Sequence, residues 1–418
     1  MAEALETATW PSLPVETAFA HCLKPSPADA RLTDYSLHRT SLESSSEPLL
    51  IHIPAFAPSP SEPPYVPPFL DSLPTAVINY RWPGPYAGDQ ALELPEEVDA
   101  DEEMPDFVTP LHWPTPLHDL LFGYNWVLEN LAPSSGRRDI YVHGAYLGAT
   151  LAASLALTEC HRHERFAVRG LAAYNGIYNW TMFLPDHKIN KPTTGRKATP
   201  SLPPAAIEGT PLHTLRGEMS TLFKGPSDLF DPFASPSLLF QTAGLLVPQS
   251  FQQASGISAM VDRMAALGLD GSAADLMPTV MTPPRRSALS FPPRRSTLTI
   301  PETLLLHDTA TVPAAARKTK AKTTVTSRTA ARRKLKGNHF AAQAEELGGL
   351  MRRSLEKIEL KERMKWDEEF EDVQAEVEAR VKIVDAGEPV EGQLQMNDFG
   401  EDVVRRWLEG QMSRSSGS

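Results

Sequence analysis

The feature that most constrains the fold of this chain is a strand, a tight turn and a helix between residues 139 and 159. The stretch reads DIYVHGAYLGATLAASLALTE, so a β-branched and aromatic run turns within five residues into an alanine-rich helix. Gly144 and Gly148 flank the central Tyr146. Glycines at this spacing indicate a turn so sharp that side chains beside its tip would collide with the neighbouring strand and helix. We therefore predict an elbow with Tyr146 at its tip.

Short apolar runs rich in β-branched residues predict buried strands on both sides of this elbow. Their ranges are 47–56, 75–82, 167–178, 299–309 and 379–387. Apolar residues at helical spacing predict amphipathic helices at 117–131 and 398–412. This alternation is typical of an α/β protein whose mostly parallel sheet carries helices on both faces.

The distribution of proline predicts how the chain is divided. Fifteen prolines and only short helical pieces lie between 184 and 293, so we predict a proline-rich cap inserted over the main domain. The core then consists of 1–183 and 294–412, the second part carrying a basic loop and a charged helical arm. Residues 413–418 form a disordered tail.

Charged residues are concentrated in three segments. The acidic loop 89–106 carries nine acids and no base, and the basic loop 309–344 carries nine bases, all within 317–336, and no acid. The helical arm 355–380 mixes both signs. Such segments are usually solvated; the alternatives are a clasp between the two loops, nuclear targeting through 317–336, or binding of a protein partner. The net charge of −12 argues against nucleic-acid binding.

Cysteine usage and the N-terminus predict a soluble cytoplasmic protein without a cofactor. Cys22 and Cys160 lie far apart and give neither a disulfide framework nor zinc spacing. The N-terminus has acids where a signal peptide has bases, and no stretch approaches the roughly 20 apolar residues of a membrane span. Cys160, His161 and His163 suggest a metal site, but their spacing spreads them around a helix end. We interpret them as a solvated helix terminus.

The elbow and its flanking strands resemble the α/β-hydrolase fold, and more closely its fungal members. The likeness also rests on LLIHIPAF at the oxyanion-loop strand, VINYRWPG at the next, FPPRRSTLTIPETLLLHDT before the acid position and QAEELGGLMRRS after it. It spans residues 15–183 and 290–412. The resemblance implies an α/β-hydrolase fold with its site at the elbow, beneath the cap.

The resemblance also implies where a catalytic triad would stand, and no position holds the usual chemistry. The nucleophile's position holds Tyr146, a phenol with an ordinary pKa of about 10 whose oxygen lies further from the backbone than a serine hydroxyl. The acid's position falls at Thr311 and the base's at Glu388. In the oxyanion loop, Pro54 has no N–H to donate. We therefore expect that ester hydrolysis has been lost or was never present.

Other residues near the elbow do not restore a triad. No glycine-any-serine-any-glycine pattern occurs in the chain, and Ser154 is interpreted as a packing residue of the elbow helix. His143 is interpreted as a structural histidine, with a role in the site as the alternative. His307 and Asp308 adjoin the acid position, and an alignment shifted by three residues would restore an acid but neither a nucleophile nor a base.

Ligands of open parallel sheets bind outside the carboxyl ends of the strands. Five side chains are predicted to line a pocket there: Phe56, Tyr146, Leu147, Asn175 and Tyr178. The first hypothesis is a non-catalytic hydrolase-fold protein that binds a small apolar ligand or a protein partner. The second is an active esterase- or lipase-like hydrolase of carboxylic esters with an atypical site, and the third a scaffold that acts through the charged loops.

Overall fold

The computed structural model describes residues 32–34, 47–57, 66–82, 111–184, 186–190, 211–247, 284–309, 337–363, 373–390 and 394–416. Thr311, the acidic loop 89–106 and the basic residues 317–336 lie outside the described residues. So do the middle of the helical arm and much of the predicted cap.

Within these described residues, seven strands form one sheet in the order β1-β3-β2-β4-β5-β6-β7. The strands are β1 (Leu32–Asp34), β2 (Leu49–Ile53), β3 (Thr75–Ile78), β4 (Arg138–Ala145), β5 (Phe166–Tyr174), β6 (Glu302–Asp308) and β7 (Val381–Gly387). All neighbouring strands are parallel except β1, which is antiparallel to β3. Every residue of β2 and β3 is buried, as expected for strands covered on both faces. The predicted mostly parallel sheet is confirmed.

Eight α-helices accompany the sheet in the described part of the chain. They are α1 (Thr115–Asn130), α2 (Tyr146–Thr158), α3 (Pro211–Gly217), α4 (Met219–Leu222), α5 (Phe340–Ser354), α6 (Leu360–Arg363), α7 (Val373–Arg380) and α8 (Asp398–Ser416). Helix α5 brings Gly348 against Ile383 and Leu305 on one face of the sheet. Helix α8 packs Trp407 against Tyr141 on the other face. Helices therefore cover both faces, as predicted.

The described part of the predicted cap is attached to the core by a cluster of aromatic rings. Trp82 follows β3, Trp180 follows β5, and Phe223 follows α4 in the cap. The Phe223 ring lies 5.5 Å from the Trp82 ring and 5.0 Å from the Trp180 ring, measured between centroids. The Trp82 indole also donates to the carbonyl of Leu222 at 2.9 Å. Core and cap therefore share one set of buried contacts.

Most of the predicted strands are shorter in the structure; β5, for example, ends at Tyr174 instead of residue 178. Strand β3 ends at Ile78 instead of residue 82, because the backbone N–H and the guanidinium of Arg81 bind the buried Asp119 carboxylate on α1 and draw the chain out of the sheet. Helix α8 extends to Ser416, through four of the six residues predicted as a disordered tail. None of the helices in the described segments is both long and apolar enough to cross a bilayer.

Candidate functional site

The chain turns sharply between β4 and α2, with Tyr146 at the tip of the turn. Tyr146 has a φ of +48°, a left-handed conformation that is strained for a bulky residue. A Cβ atom on Gly144 would lie 2.5 Å from the carbonyl oxygen of Gly148. One on Gly148 would lie 2.1 Å from the carbonyl oxygen of Pro54. Strand, helix and loop approach so closely that only glycine fits on either side of the tip.

Aromatic rings fill the space around the elbow tip. Tyr146 is 1% exposed. Its ring stacks on Phe56, with centroids 5.6 Å apart, and meets the edges of Tyr174 and Phe340 at 5.7 Å and 5.6 Å. Phe340 is the first residue of α5, and the sequence reasoning did not include it. The position that exposes a nucleophile in an active elbow is here part of the core.

The Tyr146 hydroxyl belongs to a buried network that includes the carboxylate of Asp308. The side-chain N–H group of Asn175 donates to the Tyr146 oxygen at 3.3 Å and to Asp308 Oδ2 at 2.7 Å. The Tyr174 hydroxyl donates to Asp308 Oδ1 at 2.6 Å. The pKa of Tyr174 lies far above its usual value, mainly because the phenol is buried and to a smaller extent because Tyr146 and Asp308 are close to it. Tyr174 therefore stays protonated, and both oxygens of Asp308 accept hydrogen bonds.

A backbone carbonyl oxygen already accepts hydrogen bonds from the N–H groups that would form an oxyanion hole. In hydrolases with this elbow, the N–H of the residue after the nucleophile stabilises the negative oxygen of the intermediate. Here the N–H groups of Leu147 and Gly148 donate to the carbonyl of Ala55 at 3.2 Å and 3.4 Å. The Tyr80 hydroxyl donates to the same oxygen at 3.1 Å and to the carbonyl of Pro54 at 3.1 Å. The partly negative Ala55 oxygen thus lies where an oxyanion would form.

The other sequence-predicted site residues lie as follows. Glu388, which follows β7, is exposed, and its carbonyl accepts from the side-chain amide of Asn397 at 3.0 Å. Leu147, Asn175 and Tyr178 are buried, whereas Phe56 is half-buried. The backbone N–H of Tyr178 donates to Gln343 on α5 at 3.0 Å.

Ser154 and Cys160 make structural contacts. The Ser154 hydroxyl donates to the carbonyl of Phe233 at 2.5 Å and so ties the elbow helix to the cap. Cys160 is buried, with its Sγ 3.3 Å from the Thr299 hydroxyl, and His163 is exposed. The described segments contain no group of three His, Cys, Asp or Glu side chains that could hold a metal ion.

His143 pairs with His52 beneath the elbow, on the face of the sheet that α8 covers. Their Nδ1 atoms are 2.9 Å apart, their rings stack at 5.1 Å, and the edge of Phe69 meets His143 at 5.6 Å. One imidazole must donate and the other accept, so this bond requires a neutral acceptor ring. The pKa of His143 lies well below 6.5, mainly because the ring is buried and to a smaller extent because His52 is next to it. These contacts fit a structural histidine.

The buried histidine pair makes stability depend on pH. Because the pKa of His143 is lowered on folding, only the unfolded chain takes up its proton as the pH falls below about 6.5. The stabilisation by neutral His143 is therefore complete above that pH and is lost at lower pH, by at most about 1.4 kcal/mol per pH unit. We expect the urea midpoint of the wild type to fall more between pH 7.5 and 5.5 than that of His143→Met.

The matched control is His118→Gln, at an exposed position on α1, which should keep the pH dependence of the wild type. An identical pH dependence in the wild type and in His143→Met would contradict the neutral pair.

Comparisons with known proteins give structural neighbours only. No family model and no curated protein matches the chain. Fifty-seven chains of solved structures match it. An acetyl ester-xyloside bifunctional hydrolase from Caldicellulosiruptor lactoaceticus is 19% identical, with a TM-score of 0.25, over 38% of this chain and 53% of that one. This chain thus spans about half the length of that enzyme.

Two further structures align over most of both chains. The Francisella virulence factor BioJ is 11% identical, with a TM-score of 0.36, and the match covers 93% of this chain and 86% of that one. The fluorophosphonate-binding serine hydrolase FphF of Staphylococcus aureus is 12% identical, with a TM-score of 0.29, over 91% of this chain and 89% of that one.

Proposed function

We propose that this chain, which has an α/β-hydrolase fold, acts by binding and does not hydrolyse esters. The observation that carries the proposal is the Ala55 carbonyl bound to the N–H groups of Leu147 and Gly148. An ester needs those donors for its developing negative oxygen, and losing one such donor slows hydrolysis by about a hundredfold to a thousandfold. A carbonyl oxygen in the same place also repels the charge.

The surroundings of Tyr146 support the same conclusion. A nucleophilic hydroxyl needs a base that takes its proton, and that base is held in place by a third group. Asn175 instead donates a hydrogen bond to the Tyr146 oxygen. Asp308, the carboxylate of the network, already accepts from Tyr174 and Asn175. The turn therefore has the backbone form of a nucleophile elbow, and we infer that its role is structural.

Two kinds of ligand fit this proposal. A small apolar ligand would bind at the elbow among Phe56, Tyr146, Leu147, Asn175 and Tyr178, and it would enter by displacing the half-buried Phe56 ring. A protein partner would use the acidic loop 89–106, the basic loop 309–344 or the helical arm 355–380. We place the protein in the cytoplasm, with nuclear entry through 317–336 as the alternative.

We expect neither the wild type nor Tyr146→Ser to hydrolyse p-nitrophenyl acetate above the buffer rate or to react with a fluorophosphonate probe. A serine at the tip would still lie beside the Ala55 carbonyl, which accepts hydrogen bonds from the N–H groups of Leu147 and Gly148. Tyr146→Phe serves as the matched control, because it keeps the ring and removes the hydroxyl. Labelling of a single residue, located by mass spectrometry, would contradict the proposal.

The second candidate is a carboxylic-ester hydrolase with an atypical site. The contact from Asp308 through Tyr174 to Tyr146 favours it, since a buried carboxylate is linked to the elbow tip. Under this hypothesis the probe would label Tyr146 in the wild type, and the label would disappear in Asp308→Asn. The same labelling experiment therefore separates the two candidates.

A further inference from the structure

A cavity of about 370 Å³ lies between the cap and helix α5, away from the elbow. None of its lining residues belongs to the elbow. They are Lys188, Gln241, Arg286, Ser287, Ala288, Glu345, Glu346, Gly349, Leu350 and Arg353. Three are cations and two are anions, so the lining carries a net charge of +1 at neutral pH.

Arg286 is held rigidly at the wall of this cleft. The N–H of Thr242 donates to the Ser287 carbonyl at 2.9 Å, and the N–H of Leu289 donates to the Phe240 carbonyl at 2.7 Å. Residues 287–289, which directly follow Arg286, thus pair with residues 240–242. The ion pair with Glu346 holds the guanidinium itself, so less entropy is lost when a ligand binds.

Glu346 does not neutralise the cleft. Its carboxylate forms an ion pair with Arg286 and accepts from the Gln241 amide at 2.6 Å. Lys188 and Arg353 have no carboxylate partner within the described segments. The buried Nε of Arg286 likewise has no hydrogen-bond partner there. Donors and positive charge are thus in excess.

The cations also repel one another. The pKa of Lys188 is lowered mainly by partial burial and then by the positive charges of Arg286 and Arg353. The pKa of Arg286 is lowered mainly by partial burial and then by the positive charge of Arg353. An anion placed among the three side chains would relieve this repulsion and supply the missing acceptors.

We propose that this cleft binds a small molecule that carries a phosphate monoester. A phosphate monoester is close to a dianion at neutral pH and offers three strong acceptor oxygens, which suits two guanidinium groups and an ammonium. The volume exceeds that of a phosphate group, and Leu350 and Ala288 provide apolar surface for an organic part. The proposal does not depend on whether the elbow is catalytic.

Isothermal titration calorimetry of the full chain with phenyl phosphate, benzoate and inorganic phosphate tests the proposal. Phenyl phosphate should bind most tightly. Arg353→Gln and Lys188→Gln should each weaken it by about tenfold, because each removes one charged donor. Both side chains are exposed at the rim, so their replacement does not disturb the core. Arg286 is left unchanged because its ion pair joins cap and helix.

Gly349→Leu tests whether phenyl phosphate binds inside the cleft, because it changes the volume of the cleft and leaves its charge unchanged. A Cβ atom at Gly349 meets nothing within 4 Å, so a leucine there fills the cleft and should abolish phenyl phosphate binding. Arg405→Gln is the matched control, since Arg405 is half-exposed on α8 beside Asp402; it should bind like the wild type. The proposal is wrong if phenyl phosphate shows no saturable binding, if benzoate binds as tightly, or if the control weakens binding equally.

Discussion

Gly148→Ala is expected to destabilise the protein by about 3 kcal/mol or more, at the upper end of what overpacking costs. The added Cβ would lie 2.1 Å from the carbonyl oxygen of Pro54 and 2.5 Å from that of Ile53. Both atoms are backbone at the end of β2, so no side-chain rotation relieves the clash. The urea midpoint of the variant, compared with the wild type by circular dichroism, measures the effect.

Gly349→Ala is the matched control for this experiment. Gly349 lies within α5, where a Cβ meets no atom within 4 Å. Alanine should therefore stabilise that helix by about 0.5–1 kcal/mol. Midpoints for Gly148→Ala and Gly349→Ala that both lie at or above the wild-type value would show that the elbow is looser than these distances imply.

Trp82→Ala is expected to cost about 3–5 kcal/mol, as the removal of a large buried aromatic side chain does. Trp82 is fully buried between the core and the cap, where its ring meets Trp113, Trp180 and Phe223. Its indole N–H also satisfies the carbonyl of Leu222. Because these contacts join the cap to the sheet, limited proteolysis should cut the cap of the variant faster than that of the wild type.

Trp82→Phe separates packing from hydrogen bonding. It keeps most of the ring volume and loses the bond to Leu222, which should cost about 1–3 kcal/mol. Phe122→Ala is the surface control, because Phe122 is 54% exposed on α1 and should change the midpoint little. Equal losses for Trp82→Ala and Phe122→Ala would be incompatible with a shared core.

Local patterns in the sequence were sufficient to predict six of the seven strands of the sheet, whereas the three-residue edge strand β1 was not predicted. The β-branched runs LLIHI and TAVI became fully buried parallel strands, and the glycine spacing around Tyr146 became a sharp turn. The overlong prediction at residues 79–82 has a tertiary cause. Arg81 binds Asp119, 38 residues further along the chain, and apolar periodicity contains no information about that ion pair.

The site was less predictable because much of it is backbone and distant packing. The residue at the tip can be read from the sequence, but the orientation of the Ala55 carbonyl cannot, since any residue carries that group. Phe340 reaches Tyr146 from a helix that begins almost 200 residues later. Asp308 joins the network because Asn175, at a φ of +50°, bonds to both its carboxylate and its N–H.

The three hydrogen bonds to the Ala55 oxygen bear on what ester hydrolysis at this elbow would require. A serine at the tip would not be enough, because the neighbouring peptide plane between Ala55 and Phe56 faces the wrong way. A flip of that plane would turn the Ala55 oxygen outward and bring the Phe56 N–H toward the tip. The flip would break bonds from Leu147, Gly148 and Tyr80, each worth about 1 kcal/mol. Ester hydrolysis at this elbow would therefore require a change in the loop as well as a suitable nucleophile.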